Sequence, residues 1–363
     1  MKKPRFGFDV RKIVESRLFY PSVTLALILL VDAIFIPGFF HLEIKEGHLF
    51  GNLIDVLRNS TPIIILAMGM TLVIATGGVD LSVGAVMAIA ASTACIMLNP
   101  NLIGVRLADV TREADPTYSA SPLWAVFIVP LFIAVICGLW NGALVAYGKI
   151  QPMVATLILM IAGRGIAQLV TNAIKIIIYN NTFLQLGNGW VLLLPFALFI
   201  AAAVFALAWF ITRRSSIGLF IESVGINARS SFYSGIDEKK IKLFAYMFCG
   251  FCAGAAGLIA VSSIRTSDAN QVGLYSELDA ILAVIIGGTV LGSGGRFSLL
   301  ASVIGALVIQ ATTTSTLAFG VPASAIIAVK ALVVIIVILL YSQQVQDFVR
   351  RLATQSRPKE SRS

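Results

Sequence analysis

The chain has 363 residues, of which 58% are hydrophobic and only 12% charged, and its formal net charge is +9. A soluble domain carries about a quarter charged residues, so lipid rather than water is the main solvent for this sequence. The basic residues sit at the ends and in short polar segments, which is the pattern of a polytopic membrane protein and makes no case for nucleic acid as a partner.

Residues 1–17 are basic. The apolar run that follows outlasts a signal-peptide core and offers no small-residue cleavage site, so it is predicted to remain as a span. A hydrocarbon core of about 30 Å needs roughly 20 helical residues. On that length the chain divides into about ten spans: 18–38, 59–77, 81–98, 123–147, 152–172, 191–211, 243–264, 276–292, 297–318 and 323–341. The predicted fold is all-α and integral to the membrane, one transmembrane domain over 18–342 followed by a basic tail at 343–363.

Orientation follows from Lys and Arg placement. One side collects Lys2, Lys3, Arg5, Arg11, Arg17, Lys149, Arg213, Arg214, Lys239, Lys240, Lys242, Arg296, Arg350 and Arg351. The other holds Lys45, Arg58, Arg106, Arg112, Lys175 and Arg265. Both termini are therefore predicted to be cytoplasmic, which requires an even number of spans. His41 and His48 fall in one short outer loop and read as solvated. Residues 99–122 form the longest outer loop.

Two Gly-rich stretches interrupt the apolar runs. In TGGVDLSVGAVMA (76–88), Gly77 and Gly78 permit a bend, while Asp80 and Ser82 can cap the next helix. Two readings stay open: a tight turn at the cytoplasmic face, or a broken helix within the membrane that borders a translocation path. GGTVLGSGGRF (287–297) follows a similar aliphatic run and hints at an internal repeat. Ahead of it, Glu277 and Asp279 read equally as functional carboxylates and as a helix start.

Charged residues within spans are Asp32, Arg164 and Lys330. Each costs about 2.5–3.5 kcal/mol at a helix centre on insertion scales, so each must face the bundle or snorkel. Arg164, flanked by Gly163 and Gly165, reads first as a helix-pairing residue and second as a solute contact. Cys249 and Cys252 have CxxC spacing without a second pair or a neighbouring His, so they read as small packing residues. No Walker A, H-E-x-x-H or G-x-S-x-G pattern occurs. Catalytic residues, a metal and cofactors are accordingly not expected. The remaining oddity is a polar island, ESVGINARSSFYSGIDEKKIK (222–242), which charge placement puts in the cytoplasm as a docking segment.

GGVDLSVGAVMAIAA, LWNGALVAYGKIQPMVATLILMIAGRGIAQ, VGINARSSFYSGI and YSELDAILAVIIGGTVLGSGGRFSLLASVIGALV closely resemble the permease subunits of bacterial ABC sugar importers of the ribose/galactose class. The resemblance runs in order from about residue 50 to 340. HLFGNLIDVLRNS (48–60) and DANQVGLYSELDAILAVIIGG look closer still to permeases of galactofuranose importers. The resemblance implies an inner-membrane subunit that pairs with a second permease, identical or paralogous. It also implies a cytoplasmic ABC ATPase and a periplasmic sugar-binding protein as partners.

The island matches the family's coupling segment, about 212–242. The matched positions are Gly225, Ile226, Asn227, Ser234, Gly235 and Ile236. Ala228-Arg229-Ser230-Ser231 departs from the family's Ala-Ala after the Asn. A neutral sugar needs hydroxyl partners rather than charge. The candidates for the path are Thr76, Asp80, Ser82, Asn141 and Asn270, each of which reads at least as well as a helix cap or a helix–helix hydrogen bond, with Arg164, Glu277 and Asp279 beside them. The rival is an ion-coupled secondary transporter using Asp80 and Arg164.

Overall fold

The computed structural model describes residues 18–45, 47–99, 119–289 and 294–341. The basic N-terminus, most of the outer loop 99–122 and the tail lie outside the described residues.

Each of the ten predicted intervals contains a helix. They are α1 (Phe19–Phe35), α2 (Asn52–Ala75), α3 (Val83–Leu98), α4 (Leu123–Ala146), α5 (Pro152–Val170), α7 (Phe196–Arg213), α10 (Glu238–Ile264), α11 (Ser276–Ile286), α12 (Leu299–Ala318) and α13 (Ile326–Tyr341). Three shorter helices join them: α6 (Asn181–Asn188), α8 (Ile217–Ile226) and α9 (Ala228–Tyr233). Six of these helices (α2, α4, α5, α7, α10 and α12) are long and apolar enough to cross a bilayer alone.

One predicted span needs correcting. The interval 276–292 yields only 11 helical residues, because Gly287 and Gly288, the latter at φ +77°, turn the chain away after Ile286. At 1.5 Å per residue α11 is about 16 Å long, roughly half of the hydrocarbon thickness.

Helices α2 and α10 form the centre. Of their apolar windows 78% and 72% is buried, against 28% in each of α4, α5 and α7. Those three outer helices turn large side chains such as Trp124, Phe132, Ile161 and Phe210 outward. In lipid there is no hydrophobic drive between helices, so small residues that permit close approach decide which ones touch. A Cβ on Gly250 would stand 3.0 Å from the Gly138 Cα, and one on Gly69 would stand 2.7 Å from the Cys249 Cα. Cys249 and Cys252 are both buried at these contacts, consistent with packing residues.

Among the described residues, the face predicted to be outer is closed by three two-stranded antiparallel pairings. These are β1 (Glu43–Lys45) with β2 (His48–Phe50), β3 (Ile176–Ile177) with β6 (Thr266–Ser267), and β4 (Trp190–Val191) with β5 (Leu194–Pro195). His48, expected to be solvated, instead stacks on Trp190 with ring centroids 5.1 Å apart, because the first hairpin folds down onto the third. Helix α6 is pinned to the outer end of α10: Asn188 Nδ2 donates to the Ser262 carbonyl at 2.7 Å, and Ser262 Oγ donates to the Phe183 carbonyl at 2.9 Å.

Candidate functional site

The first helix break follows α2. The Thr76 hydroxyl turns back to donate to the Val73 carbonyl at 2.7 Å, and Gly77, at φ +84°, reverses the chain. Asp80 Oδ1 then accepts from the Ser82 amide at 2.9 Å and the Ser82 hydroxyl at 2.7 Å. From α4, Asn141 Nδ2 donates to Ser82 Oγ at 2.7 Å and to Asp80 Oδ1 at 3.3 Å. The Val79 carbonyl accepts from the Tyr246 hydroxyl of α10 at 3.3 Å and the Thr156 hydroxyl of α5 at 3.4 Å.

The structure thus brings Asp80, Ser82 and Asn141 into one cluster, with none of the three more than 1% exposed. Thr156 lies four residues into α5, so the break sits about 6 Å inside that helix's N-terminal end. It is irregular backbone within the bundle: Asp80 and Ser82 are buried, while Thr76, Gly77 and Gly78 line a cavity of about 390 Å³ shared with Lys149, Glu238 and Lys242. Four helices hold the bend shut.

The second break follows α10. Arg265 adopts φ +61°, β6 pairs with β3, and the chain then turns inward instead of crossing the outer surface. Arg164 of α5 holds this descending loop by donating to the Ala269 carbonyl at 3.0 Å and to that of Val272. Gln168, one helical turn further out, donates its side-chain amide to Asn270 Oδ1. At the loop's lowest point Gly273 meets the Gly84 backbone, where a Cβ on Gly273 would come 3.0 Å from the Met87 Cβ. The Glu277 carboxylate lies against Gly84 from the first turn of α11, leaving that glycine no room for a side chain.

Depth can be read along α5. Gly163 packs on Ala85 and lies eleven residues beyond Pro152, which is about 16 Å along the helix. Residues 269–273 therefore reach about half-way through a bilayer core of about 30 Å. On the open side of this loop Asn270, Gln271, Leu274, Tyr275 and Leu278 are all exposed.

Arg164, Asn270 and Glu277 of the predicted set meet here. Asp279 does not join them: it forms an ion pair with Lys330 of α13 at 2.8 Å, which gives both charges a partner inside the bundle. Asp32 has no such counter-charge: its Oδ2 accepts from the Ser315 hydroxyl at 2.7 Å and its buried Oδ1 has no hydrogen-bond partner among the described residues. Gln168, Gln271 and Tyr275 escaped the sequence reading. The signal for Gln168 was its place four residues after Arg164, on the same helix face.

The polar island forms a platform at the end of the bundle that charge placement predicts to be cytoplasmic. Asn227 Oδ1 caps α9 by accepting the Ser230 amide at 3.0 Å, and the Ser223 and Ser231 hydroxyls tie α8 to α9 at 2.8 Å. Gly235, at φ +83°, and Ile236 close the far end of α9 by donating their amides to Phe232 and Ser231 carbonyls at 3.0 Å. Asp237 then caps α10. Slight desolvation there pushes its carboxyl up, but the Lys240 and Lys239 amides and the Lys240 ammonium outweigh this and hold it below the usual carboxylate range.

Between these caps, Phe232 and Tyr233 stand 65% and 87% exposed, and Ile226 and Ser234 are exposed beside them. A groove of about 630 Å³ runs from Tyr147 and Lys149 to Arg229 and Tyr233. Gly225 points the other way. The Gly295 amide donates to the Ala75 carbonyl at 2.8 Å, and the bare Cα of Gly225 is pressed onto this pair so closely that a Cβ would overlap both atoms. The platform, the first break and the Gly-rich loop before α12 thus meet at one backbone joint.

Residues 52–341 match the model of a family described as branched-chain amino acid transport system / permease component. The galactofuranose transporter permease protein YtfT of Escherichia coli is 46% identical over 89% of this chain and 89% of its own length. The fructose import permease protein FruF of Bifidobacterium longum is 35% identical over 93% of this chain and 91% of its own. The ribose import permease protein RbsC of Haemophilus influenzae is 32% identical over 93% and 97%. No solved structure matches the chain. These matches agree with the resemblance carried by the sequence motifs, and the chain belongs to this family of multi-pass membrane permeases.

Proposed function

We propose that the chain is the membrane-spanning subunit of an ATP-driven importer that carries a monosaccharide, with galactofuranose the favoured substrate. The observation that carries this reading is the co-linear 46% identity to a galactofuranose permease over 89% of both chains. The surface at the outer break supports it. On the open side of the descending loop the exposed polar groups Asn270, Gln271 and Tyr275 are neutral, Arg164 already donates to two carbonyls, and the charged Arg265 and Asp268 lie nearer the start of the break. A neutral polyol suits such a surface.

The subunit sits in a bacterial inner membrane with both termini cytoplasmic, an orientation that the Lys and Arg placement supports. A cytoplasmic ABC ATPase docks on the platform around Phe232 and Tyr233, a second permease completes the path, and a periplasmic sugar-binding protein delivers to the outer hairpins. In this scheme Gly225 and Gly235 set the shape of the platform, Asn227 and Ile236 fix its ends, and Ile226 and Ser234 face the ATPase. The rival secondary transporter would leave an exposed aromatic platform at the cytoplasmic end without a role.

Proteoliposomes holding the permease, the ATPase and the binding protein test the reading. Uptake of galactofuranose should require ATP and persist with a protonophore present. Uptake driven by an ion gradient without the ATPase would overturn it.

A further inference from the structure

The outer break carries side chains whose orientation is costly unless something polar passes them. Gln168 and Asn270 are joined across α5 and the descending loop, yet one hydrogen bond uses only a fraction of what two carboxamides can make. That bond uses Gln168 Nε2 and Asn270 Oδ1, and among the bonds of the described residues Gln168 Oε1 and Asn270 Nδ2 make none. Below them, Tyr275 holds its ring outward from the first residue before α11, where its own carbonyl accepts the Leu278 and Asp279 amides at 3.1 Å. Leu274 and Leu278 are exposed on either side.

These groups lie between the outer boundary and half depth, where lipid offers no hydrogen bonds. An unsatisfied amide costs roughly 2–7 kcal/mol on transfer to an apolar medium, and irregular backbone at this depth is tolerated only against protein or a water-filled cavity. The open side of the loop therefore faces an aqueous path. Two amides above an aromatic ring with flanking leucines also fit one ligand chemistry. A sugar offers hydroxyls that both donate and accept along its edge, and an apolar C–H face that lies on a ring.

We propose that Gln168, Asn270 and Tyr275 form a sugar-contacting subsite of the translocation path, with the two carboxamides reading ring hydroxyls and the Tyr275 ring carrying the C–H face. The inference rests on the reading of the chain as a sugar permease and names the residues by which this subunit, rather than its binding protein, discriminates among monosaccharides. Arg164 is a positioning residue here: its bonds to the Ala269 and Val272 carbonyls hold Asn270 level with Gln168.

The test uses the complete complex in proteoliposomes, with galactofuranose and a deoxygalactofuranose lacking one ring hydroxyl as probes. Initial uptake rates and ATP hydrolysis stimulated by sugar-loaded binding protein are measured for wild type, Gln168→Leu, Asn270→Leu, Tyr275→Leu and the conservative Gln168→Asn. Loss of a matched hydroxyl contact should cost about tenfold in rate, so the wild type should favour galactofuranose over the deoxy sugar by about that factor. In Gln168→Leu or Asn270→Leu this preference should collapse while stimulated hydrolysis persists, and Gln168→Asn should restore part of it. Tyr275→Leu should slow both sugars alike. Unchanged preference in both amide variants removes the subsite, whether overall uptake is normal or reduced. A wild-type complex that imports no sugar removes the sugar-permease reading, and the subsite with it.

Discussion

The two breaks in the helical bundle are made of similar parts and end in opposite states. Both begin with a left-handed residue after a long helix, Gly77 after α2 and Arg265 after α10, and both carry irregular backbone into membrane depth. At the inner break every predicted polar candidate is turned inward. Asp80, Ser82 and Asn141 bond one another, and Tyr246 and Thr156 hold the Val79 carbonyl. At the outer break Arg164 secures the backbone, while Asn270, Gln271 and Tyr275 remain exposed. The difference teaches that a broken helix is not in itself a path. What matters is whether the polar groups it frees are consumed by neighbouring helices or left for a passenger.

The largest expected effect is at the joint that links the inner break to the platform. Gly225→Val places methyl groups where the Ala75 carbonyl and Gly295 amide already touch the bare Cα, so correctly assembled complex and ATP-dependent uptake should both be lost. Uptake at the wild-type rate would show that this joint has slack and that the inner break is not held from the platform.

Next in size, Asn141→Leu removes the donor that α4 gives to Ser82 and Asp80. Ser82 Oγ is left without a donor, while Asp80 Oδ1 keeps the Ser82 amide and hydroxyl, so the loss should cost about 1 kcal/mol of stability, read as a lower melting temperature in detergent. The surviving protein should keep its wild-type preference among sugars. A changed preference would place the inner cluster on the path after all.

A comparable effect belongs to the platform. Tyr233→Ala should weaken ATPase binding by about tenfold, the cost of one aromatic anchor, without moving the melting temperature, because its ring is 87% exposed. Unchanged affinity would locate docking elsewhere. The smallest is Leu169→Ala, one residue from Gln168 but 79% exposed on the apolar surface of α5, where uptake and sugar preference should both stay unchanged. A strong effect there would mean that the path covers more of α5 than its polar face.

Much of this architecture was legible in the sequence, because ten apolar runs separated by basic or Gly-rich segments leave few alternatives. The exception, α11, is instructive. Its aliphatic run continues in composition through 292, and hydropathy cannot register that two glycines end the helix at Ile286. The inner cluster was half legible. Asp80 and Ser82 stand out as caps, but Asn141 lies about 60 residues away and its partner is set only when α4 packs beside the break.

The outer subsite was harder to find. Gln168 and Tyr275 are uncharged residues at the edges of apolar runs, and only the descent of the loop after α10 places them beside Asn270. Gly225 was matched as a coupling residue from its motif, yet it faces inward while Phe232 and Tyr233 face out. A motif identifies which residues belong to a device, but the side each one presents depends on packing that the motif does not encode.

The most direct test of the contrast between the breaks is thiol accessibility in the assembled complex, since Cys95, Cys249 and Cys252 are buried and Cys137 is half-buried. A charged, membrane-impermeant thiol reagent applied from the outer side should label Asn270→Cys and Tyr275→Cys, more slowly when sugar-loaded binding protein and ATP are present. Ser82→Cys should stay unlabelled until the protein is denatured. Ready labelling of Ser82→Cys, with Asn270→Cys and Tyr275→Cys inert, would reverse the assignment and put the path at the inner break.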